Sequence, residues 1–194
     1  MTYPRAYNAA TDFLERNLAA GRSEKAAFID PAETLTYGGL AARANQMGNL
    51  LSTYGIEREA RVALLMLDTV DFPVAFWGAI KAGVIPVPLN TLLTSEQYAY
   101  ILSDARAKAI VVSAQLLPVL QPVLGRLPSV KHVFVSGGEA PAYALSFRHE
   151  LALHDTAFAA LDTCCDEVAF WLYSSGSTGM PKGARHVHSS LMET

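Results

Sequence analysis

Ten residues, Ser174-Ser175-Gly176-Ser177-Thr178-Gly179-Met180-Pro181-Lys182-Gly183, hold four hydroxyls, three glycines and one lysine directly after the apolar run Ala169-Phe170-Trp171-Leu172-Tyr173. Glycines let successive backbone N–H groups converge on an anion without a Cβ in the way. The hydroxyls can donate to phosphate oxygens, and Lys182 supplies a mobile positive charge. Together these residue types describe a phosphate cradle. It is not a Walker A loop, because Lys182 follows Pro181 and precedes Gly183 instead of opening a helix. Gly176, Gly179 and Gly183 do not give the G-x-G-x-x-G spacing of a dinucleotide fold either. A chance serine-rich surface turn is the plain alternative, and the combined spacing of Gly176, Thr178, Gly179, Pro181, Lys182 and Gly183 argues against it.

The elements that must hold this loop alternate along the chain. Thr11 to Leu18 is a short amphipathic helix, and Lys25–Asp30 with Leu35–Tyr37 reads as a hairpin around Pro31. Leu40 to Leu51 sets Leu40, Ala44, Met47, Leu50 and Leu51 on one helical face, with Gly55 as a stop. Val62 to Leu67 is a continuous apolar run, as a strand covered on both faces requires. A helix from Val70 to Ala82, a strand from Val84 to Val87 and a helix from Ser95 to Ala105 follow, the last with a capping-box pattern at Thr94 and Gln97. Ala109–Ser113 and Val130–Val135 are further strands around a helix from Leu116 to Leu124. This exchange predicts an α/β fold with a doubly wound, mainly parallel sheet and flanking helices. Residues 139–163 read as a connecting excursion with a helical turn near Phe147–Leu151. The expected division is an α/β subdomain over 1–165, then a strand, the phosphate-binding loop and the start of a further subdomain over 166–194.

Composition narrows the partners. The chain has 194 residues, 51% of them apolar, and a formal net charge of −3. There is no basic surplus to neutralise a nucleic-acid backbone or an anionic membrane, so small molecules are the expected partners. No apolar stretch approaches the ~18 residues of a membrane span, and a cytoplasmic location is expected. The adjacent Cys164 and Cys165 cannot staple distant segments and lack further ligands at metal-binding spacing, so no metal site is expected. Arg185, His186 and His188 invite a catalytic or metal reading, since histidines two apart can chelate on a strand, and the alternation predicts a strand there, but that reading is not the expected one. His132, His149 and His154 read as surface or packing residues. Phe170, Trp171 and Tyr173 read as sheet packing before an aryl pocket, and Asp166 and Glu167 are expected in solvent.

Position for position, Ser174 to Gly183 resembles the signature loop of the AMP-forming synthetase and ligase superfamily, a Ser/Thr-Ser-Gly-Ser/Thr-Thr-Gly core followed by x-Pro-Lys-Gly. Thr34-Leu35-Thr36-Tyr37, Lys81 to Asn90 and Tyr100 to Ala105 extend the resemblance over nearly the whole chain. Leu67 to Pro73, Asn90 to Thr94 and Phe170 to Gly176 look like the benzoate-CoA ligase branch.

The resemblance implies activation of a carboxylate by Mg2+ and ATP to an acyl-adenylate with release of pyrophosphate, then transfer of the acyl group to CoA. Ser174, Ser175, Gly176, Ser177, Thr178, Gly179 and Lys182 would contact the β- and γ-phosphates. Thr178 and Lys182 would be the catalytic members, with Ser177 a further donor and Pro181 a restraint on the loop's exit. The family usually has Thr or Ser where this chain has Val187, so no precise role transfers to His188. Family members run to more than twice this length. The isolated chain is therefore expected to be inactive, to retain at most the ATP phosphates as ligand, and to self-associate through surface meant for an absent part. The alternative is a non-catalytic binding module keeping a weak nucleotide site.

Overall fold

The computed structural model describes residues 4–175 and 180–192. Its centre is a parallel sheet of five strands in the order β4-β3-β5-β6-β7. These are β3 (Arg61–Leu65), β4 (Ile85–Pro88), β5 (Ala109–Ser113), β6 (His132–Ser136) and β7 (Leu145–Ser146). Alternate residues of each central strand enter different cores. Val62, Leu64, Ala109, Val111 and Phe134 pack on one face with α1 (Ala9–Ala19), α2 (Tyr37–Thr53), α3 (Asp71–Lys81) and α6 (Phe147–Ala152). Ala63, Leu65, Ile110, Val112, Val133 and Val135 pack on the other face with α4 (Ser95–Asp104) and α5 (Leu117–Leu124). Burial on both faces is why these strands are apolar without alternation.

Helix boundaries follow local hydrogen bonding. The first helix starts two residues earlier than periodicity suggests, because the Asn8 side chain accepts from the N–H groups of Ala10 and Thr11 at 3.1 and 3.3 Å. The second starts at Tyr37, where Thr36 Oγ1 accepts from Gly39 N at 3.1 Å, and ends before Gly55 at φ +64°. The capping box at Thr94 and Gln97 is present. The crossing of α2 and α3 depends on Gly78, where a Cβ would stand 2.5 Å from Met47 Cβ.

A separate antiparallel pair, β1 (Ala26–Ile29) and β2 (Thr34–Thr36), forms the expected hairpin. Its turn is tied to the start of α3 through Asp30, whose carboxylate accepts from Ala32 N, Glu33 N and, across the fold, Val70 N at 2.9 Å. The Val70 contact leads in holding that carboxyl below its usual range. Residues 139–163 are more than a connection. They contain β7, the edge strand of the main sheet, which at two residues is too short to leave a periodic signal. After α6 the chain lies along α2, where Asn45, Gln46 and Asn49 donate side-chain amides to the carbonyls of His154, Asp155, Thr156 and Ala157.

The last part returns to the N-terminus. β8 (Val168–Ser175) and β9 (Pro181–Val187) form an antiparallel hairpin, and β8 lies alongside β4. A 3-10 turn, His188–Met192, follows. Tyr7 N donates to Thr163 O at 2.9 Å, Cys165 N to Arg5 O at 3.0 Å, and Ala9 N to His188 Nδ1 at 3.1 Å. His188 is 1% exposed. Burial pushes its imidazole down to about 4, against the opposing pull of Glu167 and with a smaller push from Arg58.

The folded chain thus keeps His188 neutral where the unfolded chain, titrating near 6.5, takes up a proton. Above the unfolded value this group leaves stability independent of pH; as pH falls from 6.5 towards 4 the unfolded state binds more protons and stability drops. The His188→Asn variant retains an acceptor for Ala9 N and does not titrate. Urea unfolding at pH 7 and 4.5 should show the unsubstituted chain losing about 2 kcal/mol more than this variant. Equal losses would show that His188 is not the group responsible.

Candidate functional site

The signature segment is carried by the β8–β9 hairpin. Its register sets Trp171 opposite Arg185, Leu172 opposite Ala184, Tyr173 opposite Gly183, Ser174 opposite Lys182 and Ser175 opposite Pro181. Directly opposed residues of an antiparallel pair project from the same face with Cβ atoms about 5 Å apart. Ser174 and Lys182, both exposed, therefore stand together at the mouth of the connection. Pro181 is buried at the first position of its strand, a place that tolerates a residue with no N–H to give. Gly176, Ser177, Thr178 and Gly179 lie outside the described residues, as does the side chain of Ser175. Of the predicted phosphate ligands, the structure brings Ser174 and Lys182 together.

Each face of the hairpin is fixed differently. On one, the Phe170 ring stacks on His186 with centroids 4.5 Å apart and planes 11° from parallel, and meets Phe76 edge-on at 5.4 Å. Leu172, 40% exposed, continues this face towards Ser174. On the other, the Arg61 guanidinium lies 5.6 Å from the Trp171 ring centre, and its Nε donates to the Ala105 carbonyl at 2.6 Å. Trp171 and Tyr173 border the core beneath α4 and α5. The aromatic residues before the loop are thus packing elements. The Trp171 indole N–H is buried without a partner among the described residues.

Tyr173 Oη donates to Asp104 Oδ2 at 2.6 Å. Burial, and then this hydrogen bond, push the phenol above its ordinary range. Asp104, Trp171, Tyr173, Gly183 and Arg185 line a cavity of about 260 Å3 beside the hairpin. Asp104 carries no signal of this role in the sequence, where it is the last polar residue of an amphipathic helix. It is brought to Tyr173 by the docking of β8 beside β4.

The remaining polar residues are engaged structurally. Glu167 is not left in solvent: its carboxylate takes a two-pronged contact from Arg58, at 3.0 and 2.6 Å, and accepts from Cys164 N. Burial acts to raise this carboxyl, and the Arg58 and Cys164 contacts outweigh it to leave it below the usual range. Asp166 is exposed, as expected. His186 and His188 do not form a chelate, since one stacks on Phe170 and the other accepts from Ala9 N. Cys164 and Cys165 are free thiols. Among the described residues, no group of three or more His, Cys, Asp or Glu side chains could hold a metal ion.

Comparison with known proteins places these features in a family. Residues 14–194 match the AMP-binding enzyme family. The chain is 48% identical over 186 residues to a 4-hydroxybenzoate–CoA/benzoate–CoA ligase of Rhodopseudomonas palustris, covering 96% of this chain and 34% of that protein. It is 47% identical over 192 residues to a benzoate–CoA ligase of Thauera aromatica, covering 98% and 36%. Among solved structures, an anthranilate CoA ligase in complex with anthranoyl-AMP superposes with a TM-score of 0.93 at 37% identity, over 96% of this chain and 36% of that one. A benzoate CoA ligase from Burkholderia xenovorans superposes with a TM-score of 0.85, also at 37% identity and with the same coverage. The chain spans about a third of the length of these relatives. With its signature loop on a hairpin docked against a doubly wound sheet, and this match over nearly its whole length, the chain belongs to the AMP-binding enzyme family.

Proposed function

We propose that this chain is the N-terminal, phosphate-holding part of an ATP-dependent aryl-CoA ligase acting on benzoate or a close relative. The observation that carries the reading is the hairpin itself. It opposes Ser174 and Lys182 on either side of a glycine- and hydroxyl-rich connection, in a chain whose relatives are named for benzoate. Residues 166–194 then open the next subdomain after the α/β unit of 1–165.

In the complete enzyme the acid's carboxylate oxygen attacks the α-phosphorus of ATP. The bond from that phosphorus to the bridging oxygen breaks, and pyrophosphate leaves. The acyl-adenylate's carbonyl is then attacked by the CoA thiol, which gives up its proton, and AMP departs. Charge builds on the departing pyrophosphate, and donors already in place stabilise it at no cost in reorganisation. Ser174, Ser175, Ser177 and Thr178 hydroxyls and the N–H groups of Gly176 and Gly179 serve as those donors. Thr178 and Lys182 act where the charge develops, with Lys182 as a clamp whose long stem follows the phosphate. Mg2+ would enter with ATP and supply neutralisation of the charge on its phosphates.

A second reading has the chain acting alone as a binding module with a weak nucleotide site. Its support is the exposed Ser174–Lys182 pair, which offers donors to a phosphate whether or not a reaction follows. In this state the chain works in the cytoplasm on small molecules and self-associates through exposed apolar side chains near the loop, such as Leu172 and Met180.

Calorimetric titration of Mg-ATP is expected to show binding that weakens about tenfold in Lys182→Ala, the loss of one charge-assisted contact. Absence of binding to either protein would reduce the signature to a mark of ancestry. Benzoate-dependent exchange between ATP and pyrophosphate separates the two readings of the isolated chain. None above background is expected, and appreciable exchange would eliminate the binding-module reading.

A further inference from the structure

The legs of the hairpin are held by one side chain that neither the loop signature nor the family match assigns a role. Tyr173 stands one residue before Ser174, opposite Gly183, the residue after Lys182. A Cβ at Gly183 would lie 3.1 Å from the Tyr173 Cζ and 3.4 Å from its Oη. The ring therefore lies against the β9 backbone, so close that a side chain at 183 would push it aside by a few tenths of an ångström. Beyond it the hydroxyl reaches the last residue of α4 and donates to Asp104 Oδ2 at 2.6 Å. The ring touches both legs of the hairpin, and the hydroxyl ties them to a helix of the main domain. The next rung outward is the Ser174–Lys182 pair.

Building on the phosphate-site reading above, we infer that Tyr173, Gly183 and Asp104 form a positioning clamp that sets the spacing and direction of the loop's two legs, and so of Ser174 and Lys182, before nucleotide arrives. Any segment that a ligand orders costs conformational freedom on binding. Fixing its ends beforehand reduces that loss. The acceptor is a carboxylate, which makes this hydrogen bond stronger than one between neutral groups. Neither Tyr173 nor Asp104 needs to touch phosphate for this role.

The experiment compares Tyr173→Phe, Asp104→Ala, Asp104→Asn and the double variant Tyr173→Phe/Asp104→Ala in the full chain. Tyr173→Phe keeps the ring over Gly183 and removes only the tether; Asp104→Asn keeps an acceptor for the hydroxyl. Two readouts are taken: Mg-ATP affinity by calorimetry, and hydrogen exchange at the backbone amides of residues 182–186. The clamp predicts about fivefold weaker Mg-ATP binding in Tyr173→Phe and Asp104→Ala, the same factor in the double variant, and near-complete retention in Asp104→Asn. Exchange at 182–186 should accelerate in the same three variants and not in Asp104→Asn. Additive losses, or a loss of affinity with exchange unchanged, would overturn it. If Lys182→Ala leaves Mg-ATP binding intact, the phosphate-site reading fails by itself. If no form binds Mg-ATP, the exchange pattern alone decides whether the legs are clamped, and unchanged rates refute the clamp.

Discussion

The burial of β3, β5 and β6 on both faces is the constraint from which the rest of this chain follows. A strand with apolar residues at every position has no face to give to water, so it demands a layer of helices above and below. Val62 and Leu64 answer to α2 and α3, and Ala63 and Leu65 to the layer of α4 and α5. Each fully buried side chain of this size contributes roughly 1.5–3 kcal/mol, and these strands supply most of their residues to that account. The parallel pairing that this arrangement permits needs a long crossover between neighbouring strands. That is why the chain alternates strand and helix until β6.

Polar ties then fix the layers where apolar contact alone would let them slide. Asp71, 2% exposed at the start of α3, accepts from Ser136 Oγ at 2.5 Å and from Arg148 Nε at 2.9 Å. Arg148 continues to Glu33, which pairs in turn with Arg43. The Asp71 contact leads in pushing the Arg148 guanidinium above its usual range. One chain of charges thereby joins the end of β6, α3, α6, the turn of the β1–β2 hairpin and α2. A carboxylate this deep is tolerable only because both of its oxygens are satisfied.

Against this frame the β8–β9 hairpin is an attachment, and it is attached at both ends. Arg58 with Glu167, and Ala9 with His188, hold the end far from the loop. Phe170 and Trp171 hold the middle, and Tyr173 the end next to it. The strands that present Ser174 and Lys182 are thereby held on both faces.

The sequence by itself determined the doubly wound class and most element positions, because strand and helix periodicities differ and because Asn8, Thr36 and Thr94 cap locally. The expectation of a phosphate cradle at Ser174 to Gly183 likewise rests on residue types and spacing alone. Tertiary structure decided what depends on partners far along the chain. The edge strand Leu145–Ser146 exists through pairing with Phe134 and Val135 and has no pattern of its own. Glu167 reads as a solvent residue until Arg58 is beside it. Asp104 acquires its place only when β8 docks next to β4 and carries Tyr173 to it. Hydrogen bonds and ion pairs spanning 69 or 109 residues leave no periodicity for a sequence to show. They are set by which surfaces the buried strands bring together.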